Sequence, residues 1–242
     1  MKPVAAYEYT LRTNDFDCRR KLMPSAVLDL FQNAAGRHAY ELGVGFDAML
    51  QKDVLWVIVR VRFQILRTPP LYSRVKVTTW PLPPTRASCR RDYVIEDEDG
   101  QPVVKGTSEW VFMHRTERKL LPAADIYPLD EFCDTLALED KTYKLRDFEP
   151  EGQPFDLIAG FCDLDMNGHV NNTKYANFVL DAVPLREDEE IEFFQLDYRK
   201  EVRAGEKLSL LSRRNDGEIV AKGLGEDGNV RFACRIGTKG RS

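Results

Sequence analysis

Long apolar runs are missing from this sequence: no stretch approaches the roughly 18 residues that a membrane-spanning helix requires. The amino-terminal MKPVAAYEYTLRTNDFD meets charge before an apolar core of signal-peptide length can form. Paired cysteine is also lacking. Cys18, Cys89, Cys133, Cys162 and Cys234 are scattered, odd in number and without a C-x-x-C pair, which argues against a disulfide framework or a zinc site and for reduced thiols. Charge of one sign is not in excess either, since 35 lysines and arginines face 39 aspartates and glutamates for a net charge of −4. Nothing in that balance marks a nucleic-acid or anionic-membrane binder. The expectation is a cytoplasmic protein with no membrane insertion, no nucleic-acid partner and no metal. Histidine is scarce, at three residues in 242, so the place of each one matters.

What is present is a pattern that occurs twice. From Pro24 to Leu42, Val27, Leu30, Phe31, Ala34, Ala35 and His38 recur at helical spacing, with a proline suited to the first turn and Gly43 closing the run. Strand signals follow at 54–66, 74–80, 89–97 and 103–113, with Asp99-Gly100 as a tight hairpin turn. In the first of these, Val59, Val61, Phe63 and Ile65 alternate with Arg60, Arg62 and Gln64, which gives the strand one wet face. Residues 116–155 are rich in charge and proline and read as a linker with one short helix. Then a second helix is expected over about 171–183, followed by strands at 191–199, 206–213, 218–225 and 229–237 with turns at Asp216-Gly217 and Asp227-Gly228. The domain reading is 1–115, linker 116–155, and 156–242, each half a helix and four antiparallel strands.

The residues support a duplication. With Asp15-Phe16-Asp17 set on Asp163-Leu164-Asp165, an offset of 148 (163 − 15), Leu22 falls on Val170, Val27 on Tyr175 and Phe31 on Val179. In this register Arg19 stands where the second half has Asn167, and Lys21 where it has His169. The second copy alone therefore carries a polar set, DLDMNGHVNN, just ahead of its helix. In an extended loop Asp165, Asn167 and His169 point the same way, and the helix start beyond them offers N–H groups from about Val170 to Asn172 for an oxyanion. A histidine, an amide, a carboxylate and such donors are what hydrolysis of an activated acyl group needs. Glu201, after the strand that follows the second helix, is the next acid able to join them; taken alone it reads as a solvated strand-end charge. The plainer reading of the loop is a helix cap, but one helix needs one cap, and this stretch holds Asp163, Asp165, Asn167, Asn171, Asn172 and a histidine. His38 and His114 read as structural residues of a helix and a strand end.

The chain resembles the acyl-acyl carrier protein thioesterases of plants and bacteria. The resemblance rests on Asp163 through Asn172 with Lys174-Tyr175, on Leu196 through Glu201, and in the first half on Thr79-Trp80, Arg90 through Tyr93 and Ser108 through Val111. It implies an α+β tandem hotdog fold, with each half a central helix wrapped by a curved antiparallel sheet. It also implies a catalytic set of Asp165, Asn167, His169 and Glu201, substrate contacts from Asn171, Asn172 and Tyr175, and no cofactor. The first half would hold the acyl chain and the second the chemistry. The implied activity is hydrolysis of fatty acyl-acyl carrier protein by a monomer or homodimer, with an acyl-CoA thioesterase or a non-catalytic acyl-binding hotdog protein as alternatives. Because carrier proteins are acidic, a contact patch is expected among Arg90, Arg91, Arg199, Lys200 and Arg203. Two positions depart from the plant pattern: Val202 stands where a cysteine often follows the glutamate, and Gly168 where glutamine is common. The first removes support for a Cys–His nucleophile. For the step itself, a carboxylate, Glu201 or Asp165, activates water, and a covalent acyl-Asp165 is the chemical alternative.

Overall fold

The fold was analysed in a computed structural model that describes residues 3–126, 132–139 and 143–240. These fall into two compact units, 1–13 with 29–142 and 14–28 with 143–242.

The first unit holds β1 (Ala5–Thr10), most of α1 (Pro24–Glu41), the short α2 (Phe46–Gln51), β2 (Val54–Ile65), β3 (Arg74–Pro81), β4 (Cys89–Glu96), β5 (Pro102–His114) and β6 (Leu120–Leu121). Its strands run antiparallel in the order β1-β3-β4-β5-β2, with β6 on β5. The apolar stripe that makes α1 amphipathic faces this sheet. Phe31 stacks on Tyr93 of β4 with centroids 4.1 Å apart and meets Phe63 of β2 edge-on at 6.1 Å. Gly106 on β5 makes room for that ring, because a Cβ there would lie 2.4 Å from Phe31 Cε2. The alternation read along β2 holds from Val61 to Ile65 and fails before it, where a bulge between Ile58 and Arg60 breaks the register with β5. The wet face is partly closed, since Arg60 pairs across the strands with Glu109 at 2.8 Å.

The second unit repeats the plan with β7 (Glu151–Ile158), α3 (Lys174–Ala182), β8 (Glu189–Tyr198), β9 (Lys207–Asn215), β10 (Glu218–Gly225) and β11 (Val230–Gly240). The order is β7-β9-β10-β11-β8, again antiparallel and in the same relative sequence as the first. On α3, Tyr175 lies edge-on to Tyr198 of β8 at 5.5 Å and to Phe232 of β11 at 5.0 Å. Each half is the expected hotdog, but with five principal strands instead of four. The extra ones, β1 and β7, are edge strands. Most of β7 is exposed and it contains Pro154, a residue that edge strands accept and central ones do not.

The described residues of 116–155 hold more than the one short helix expected of a linker. They contain β6, a 3-10 turn at Ala123–Asp125 and the start of β7. Within the first unit, Trp80 Nε1 donates to Thr135 O at 2.8 Å, and Asp92 accepts the Ala137 N–H at 2.8 Å. Within the second, Gln195 donates to Tyr143 O and Asp197 accepts the Leu145 N–H, both at 2.8 Å. Side chains thus satisfy backbone that has no strand partner. Among the described residues no helix is long and apolar enough to cross a membrane.

Candidate active site

The loop that drew attention begins with a 3-10 turn at Phe161–Asp163 and is pinched shut by a bridge between Leu164 and Val170. Inside it, the Asp165 N–H donates to His169 O at 2.8 Å and the Gly168 N–H to Asp165 O at 3.1 Å. Asp165 then caps its own loop: Oδ1 accepts the backbone N–H of Asn167 at 2.8 Å and of His169 at 3.3 Å, while Oδ2 accepts Asn167 Nδ2 at 3.2 Å. This is an Asx-type turn, closed with Gly168 in the left-handed region at φ 76°. Asp165 and Asn167 therefore converge through a turn, and strand-like alternation is not what aligns them.

Glu201 arrives from the turn between β8 and β9. Two contacts bring it in: the Val170 N–H donates to Val202 O at 2.8 Å, and His169 Nε2 lies 3.4 Å from Glu201 Oε2. Both side chains keep solvent access, at 25% and 36% exposure, so water can reach either. The turn is braced from behind. The Arg199 and Lys200 N–H groups both donate to Arg231 O, and the buried Arg231 guanidinium binds Glu206 at 2.6 Å and Asp227 at 2.9 Å. Hydrogen bonds from Asn229, the largest influence, with those from the Lys200 and Arg231 side chains, hold the Asp227 carboxyl below the usual carboxylate range. Sequence reading missed Arg231 and Glu206, because Glu206 lies just before β9 and Arg231 on β11, and neither carries a local signal.

Two of the expected oxyanion donors at the helix start are otherwise engaged. Val170 N–H goes to Val202 O and Asn171 N–H to Asp163 O at 2.8 Å, and α3 begins only at Lys174, so the helix is shorter than expected. Of the two N–H groups on the Asn167 amide, Asp165 takes one.

The remaining candidates divide. Asn171 uses its side chain to accept the Thr173 N–H at 3.0 Å, and Asn172 O accepts from the Tyr198 hydroxyl at 2.9 Å. Tyr175 is 3% exposed within the aromatic cluster of its unit, so it lies beneath the site and is not part of its open surface. Burial foremost pushes its hydroxyl pKa up, and the carboxylates of Glu206, Glu201 and Asp165 add to the rise. Among the arginines and lysine expected to meet a carrier protein, Arg91 is a correction: it is 6% exposed and bonds His38 Nδ1 at 3.0 Å and Thr79 at 3.2 Å inside the first unit. Its place on β4 turns it toward α1, where an interior strand position offers no route to the surface. Arg90 is half-buried and bonds Thr107; Arg199 bonds Asp197 and Leu145 O; Lys200 pairs with Asp227 at 3.0 Å; Arg203 is exposed. Among the described residues no group of three or more His, Cys, Asp or Glu is set to hold a metal ion.

Comparison with known proteins places this chain in a family. Residues 3–132 match the family model described as the acyl-ACP thioesterase N-terminal domain, and residues 153–234 match that of the C-terminal domain. A palmitoyl-acyl carrier protein thioesterase, chloroplastic, of Gossypium hirsutum is 29% identical over 229 residues, covering 88% of this chain and 55% of that protein. An oleoyl-acyl carrier protein thioesterase of Arabidopsis thaliana, also chloroplastic, is 27% identical over 250 residues, covering 94% of this chain and 68% of that protein. This chain thus spans little more than half the length of the cotton relative. Among solved structures, the 12:0-ACP thioesterase from Umbellularia californica is 26% identical with a TM-score of 0.88, covering 100% of this chain and 99% of that one. An acyl-ACP thioesterase from Bacteroides thetaiotaomicron, 23% identical with a TM-score of 0.84 over 98% of both chains, has the same fold.

Proposed function

Since this chain belongs to the acyl-ACP thioesterase family, we propose that it hydrolyses the thioester between a fatty acyl group and acyl carrier protein, ending chain elongation by release of the free acid. The observation that carries this reading is the approach of His169 Nε2 to Glu201 Oε2 at 3.4 Å beside the Asp165–Asn167 turn. Glu201 takes a proton from water as the oxygen attacks the thioester carbonyl carbon. Asn167 donates an amide hydrogen to the carbonyl oxygen as it becomes an oxyanion. The proton passes from Glu201 to His169 across their contact, collapse breaks the carbon–sulfur bond, and His169 gives the proton to the leaving thiolate. The products are a carboxylic acid and the carrier thiol, with one water consumed.

Asp165 fits this scheme as the frame of the loop. Its two oxygens already accept two backbone N–H groups and an amide, which stabilises the carboxylate and blunts it as a nucleophile. Water attack by way of Glu201 is therefore the preferred chemistry over an acyl-Asp165 intermediate, and no cofactor enters the scheme. In the proposed division of labour, residues 1–115 bind the acyl chain, 116–155 link the halves and 156–242 carry the reaction. Arg90, Arg199, Lys200 and Arg203 are the proposed cationic contacts for an acidic carrier. The cytoplasm is the proposed location, on the strength of five unpaired cysteines. The protein acts as a monomer or homodimer. The test is a turnover panel across acyl lengths, presented on carrier protein and on CoA in parallel. Preference for the carrier-linked series supports the reading, and rates favouring CoA throughout oppose it.

A further inference from the structure

Glu201 has no helix or strand to hold it, yet its position relative to His169 decides whether the proposed proton transfers can occur. Its neighbours on both sides are tied to one residue of β11, Arg231. Before Glu201, the N–H groups of Arg199 and Lys200 donate to Arg231 O at 2.8 and 3.1 Å. After it, the Arg203 N–H donates to Glu206 Oε2 at 3.3 Å, and the other oxygen of that carboxylate accepts Arg231 Nε at 2.6 Å. Glu206 is itself anchored: its N–H donates to Arg203 O at 3.2 Å, and its C=O accepts the N–H of the buried Ala159 at 3.1 Å. Between the two ties, Val202 O accepts the Val170 N–H at 2.8 Å, one residue beyond His169. The first unit uses the first of these ties with an apolar residue. There the carbonyl of the buried Val103 accepts the N–H groups of Leu66 and Arg67 at 2.9 and 3.4 Å. A valine therefore suffices for the backbone frame. A buried guanidinium, whose desolvation cost its ion pairs seldom more than offset, needs another reason, and β10 makes way for it: a Cβ at Gly225 would lie 2.3 Å from Arg231 Nη2.

We infer that Arg231 is a positioning residue for Glu201, its guanidinium fixing the Glu206 carboxylate on the Arg203 N–H so that the turn presents Glu201 to His169. The inference rests on the proposed role of Glu201. With Oε1 engaged by the guanidinium, Oε2 is turned to the backbone, and the segment from Lys200 to Arg203 is closed at both ends. Without the guanidinium, the Glu206 side chain turns toward water and the Arg203 N–H loses its acceptor. The exit from Glu201 then loosens, while the entry, held by a main-chain carbonyl, stays. Arg231 takes no part in proton transfer and acts only through where Glu201 stands.

The experiment uses the full chain with carrier-linked acyl substrate and rates per folded molecule. It compares wild type, Glu201→Gln, and Arg231→Met and Glu206→Gln, each alone and combined with Glu201→Gln. Methionine fills much of the arginine's volume without its charge. Glu206→Gln keeps the shape and exchanges one carboxylate oxygen for an amide nitrogen, so one of its two bonds is lost; it carries the same comparison should Arg231→Met fail to fold. Displacement of a reacting group by an ångström costs about 10²-fold, and each single change is expected to lower kcat about 10- to 100-fold with KM within about twofold. In the Glu201→Gln background either change is expected to have almost no further effect, since all act through one carboxylate. Hydrogen exchange at the Arg203 amide gives a readout independent of turnover and is expected to accelerate at least about threefold in both. A purely structural arginine would lower Tm and leave kcat per folded molecule unchanged. That result, unchanged Arg203 exchange, or losses that multiply independently of Glu201 overturn the inference. If exchange accelerates but Glu201→Gln retains full activity, it is the catalytic assignment of Glu201 that fails, and the positioning role falls with it.

Discussion

Asp17 and Asp165 hold the same turn. Asp17 Oδ1 accepts the backbone N–H groups of Arg19 and Lys21 at 2.8 and 2.9 Å, and Asp165 Oδ1 accepts those of Asn167 and His169 at 2.8 and 3.3 Å. The agreement extends through the loop: Asp17 N–H to Lys21 O matches Asp165 N–H to His169 O, and Met23 N–H to Asp15 O matches Asn171 N–H to Asp163 O. The bridges Phe16–Leu22 and Leu164–Val170 close both loops. Duplication has therefore preserved a backbone frame whose hydrogen bonds do not depend on catalysis. The side chains diverge within it. Arg19 clasps Asp17 and donates to the carbonyls of Arg186 and Glu189 at 2.9 and 2.8 Å, and Lys21 pairs with Glu190 at 2.6 Å. Where the second copy carries Asn167 and His169, the first carries two braces.

Arg19→Ala is accordingly expected to weaken the fold and spare the chemistry. Losing charged hydrogen bonds to one exposed and one half-buried carbonyl costs about 1–3 kcal/mol, and about 2–4 °C in Tm per kcal/mol for a chain of this size. Thermal melting combined with kcat per folded molecule checks it. A large fall in kcat at unchanged Tm would place Arg19 in the reaction instead.

Gly168 has φ 76°, and its counterpart Arg20 holds φ 59° with a full side chain. The position thus tolerates an L-residue in the left-handed region, and a Cβ at Gly168 meets nothing within 4 Å. Gly168→Gln, which restores the residue of the plant pattern, is expected to cost about 1–2 kcal/mol of backbone strain. Activity is expected to stay within about threefold, a change smaller than 1 kcal/mol in barrier. Chemical denaturation and steady-state rates measure both, and a collapse of the fold would show that the loop cannot bear what its copy bears.

Much of this fold was legible because its elements are regular. The α1 stripe and the eight central strands carry apolar periodicity, and the Asp-Gly turns mark their hairpins, with Gly100, Gly217 and Gly228 all at positive φ. The edge strands were not legible, because β7 buries little and so has no alternation to read. The loop residues stood out as a surplus over what a cap needs. Their convergence came from an Asx turn, though, and the approach of Glu201 from a backbone contact between Val170 and Val202, neither of which leaves a pattern in residue types.

Asp92 links the strap at 132–139 to stability at neutral pH. Burial, the largest influence, raises its carboxyl pKa, and the Thr107 hydroxyl, the Ala137 N–H and the Arg90 charge only partly oppose it. With the folded value above the unfolded one, the folded state binds more protons between them, so stability falls as pH rises through that interval and the cost is full above it. Asp92→Asn keeps an oxygen for the Ala137 N–H and removes the charge. Its Tm is expected to exceed wild type by about 2–4 °C at pH 7.5, or about 1 kcal/mol, and to converge with it near the unfolded carboxylate value of about 3.9. A lower Tm at pH 7.5 would mean that the charge itself holds the strap.

The duplication supplies its own control. Turnover of a fatty acyl thioester on carrier protein is to be measured for Asp165→Asn and Asp17→Asn, two equivalent changes in equivalent turns, each corrected for folded fraction. A fall in kcat/KM of at least about 10²-fold is expected for Asp165→Asn, and a value within about threefold of wild type for Asp17→Asn. Equal losses in the two variants, or full activity in Asp165→Asn, would contradict a thioesterase whose chemistry resides in the second copy alone.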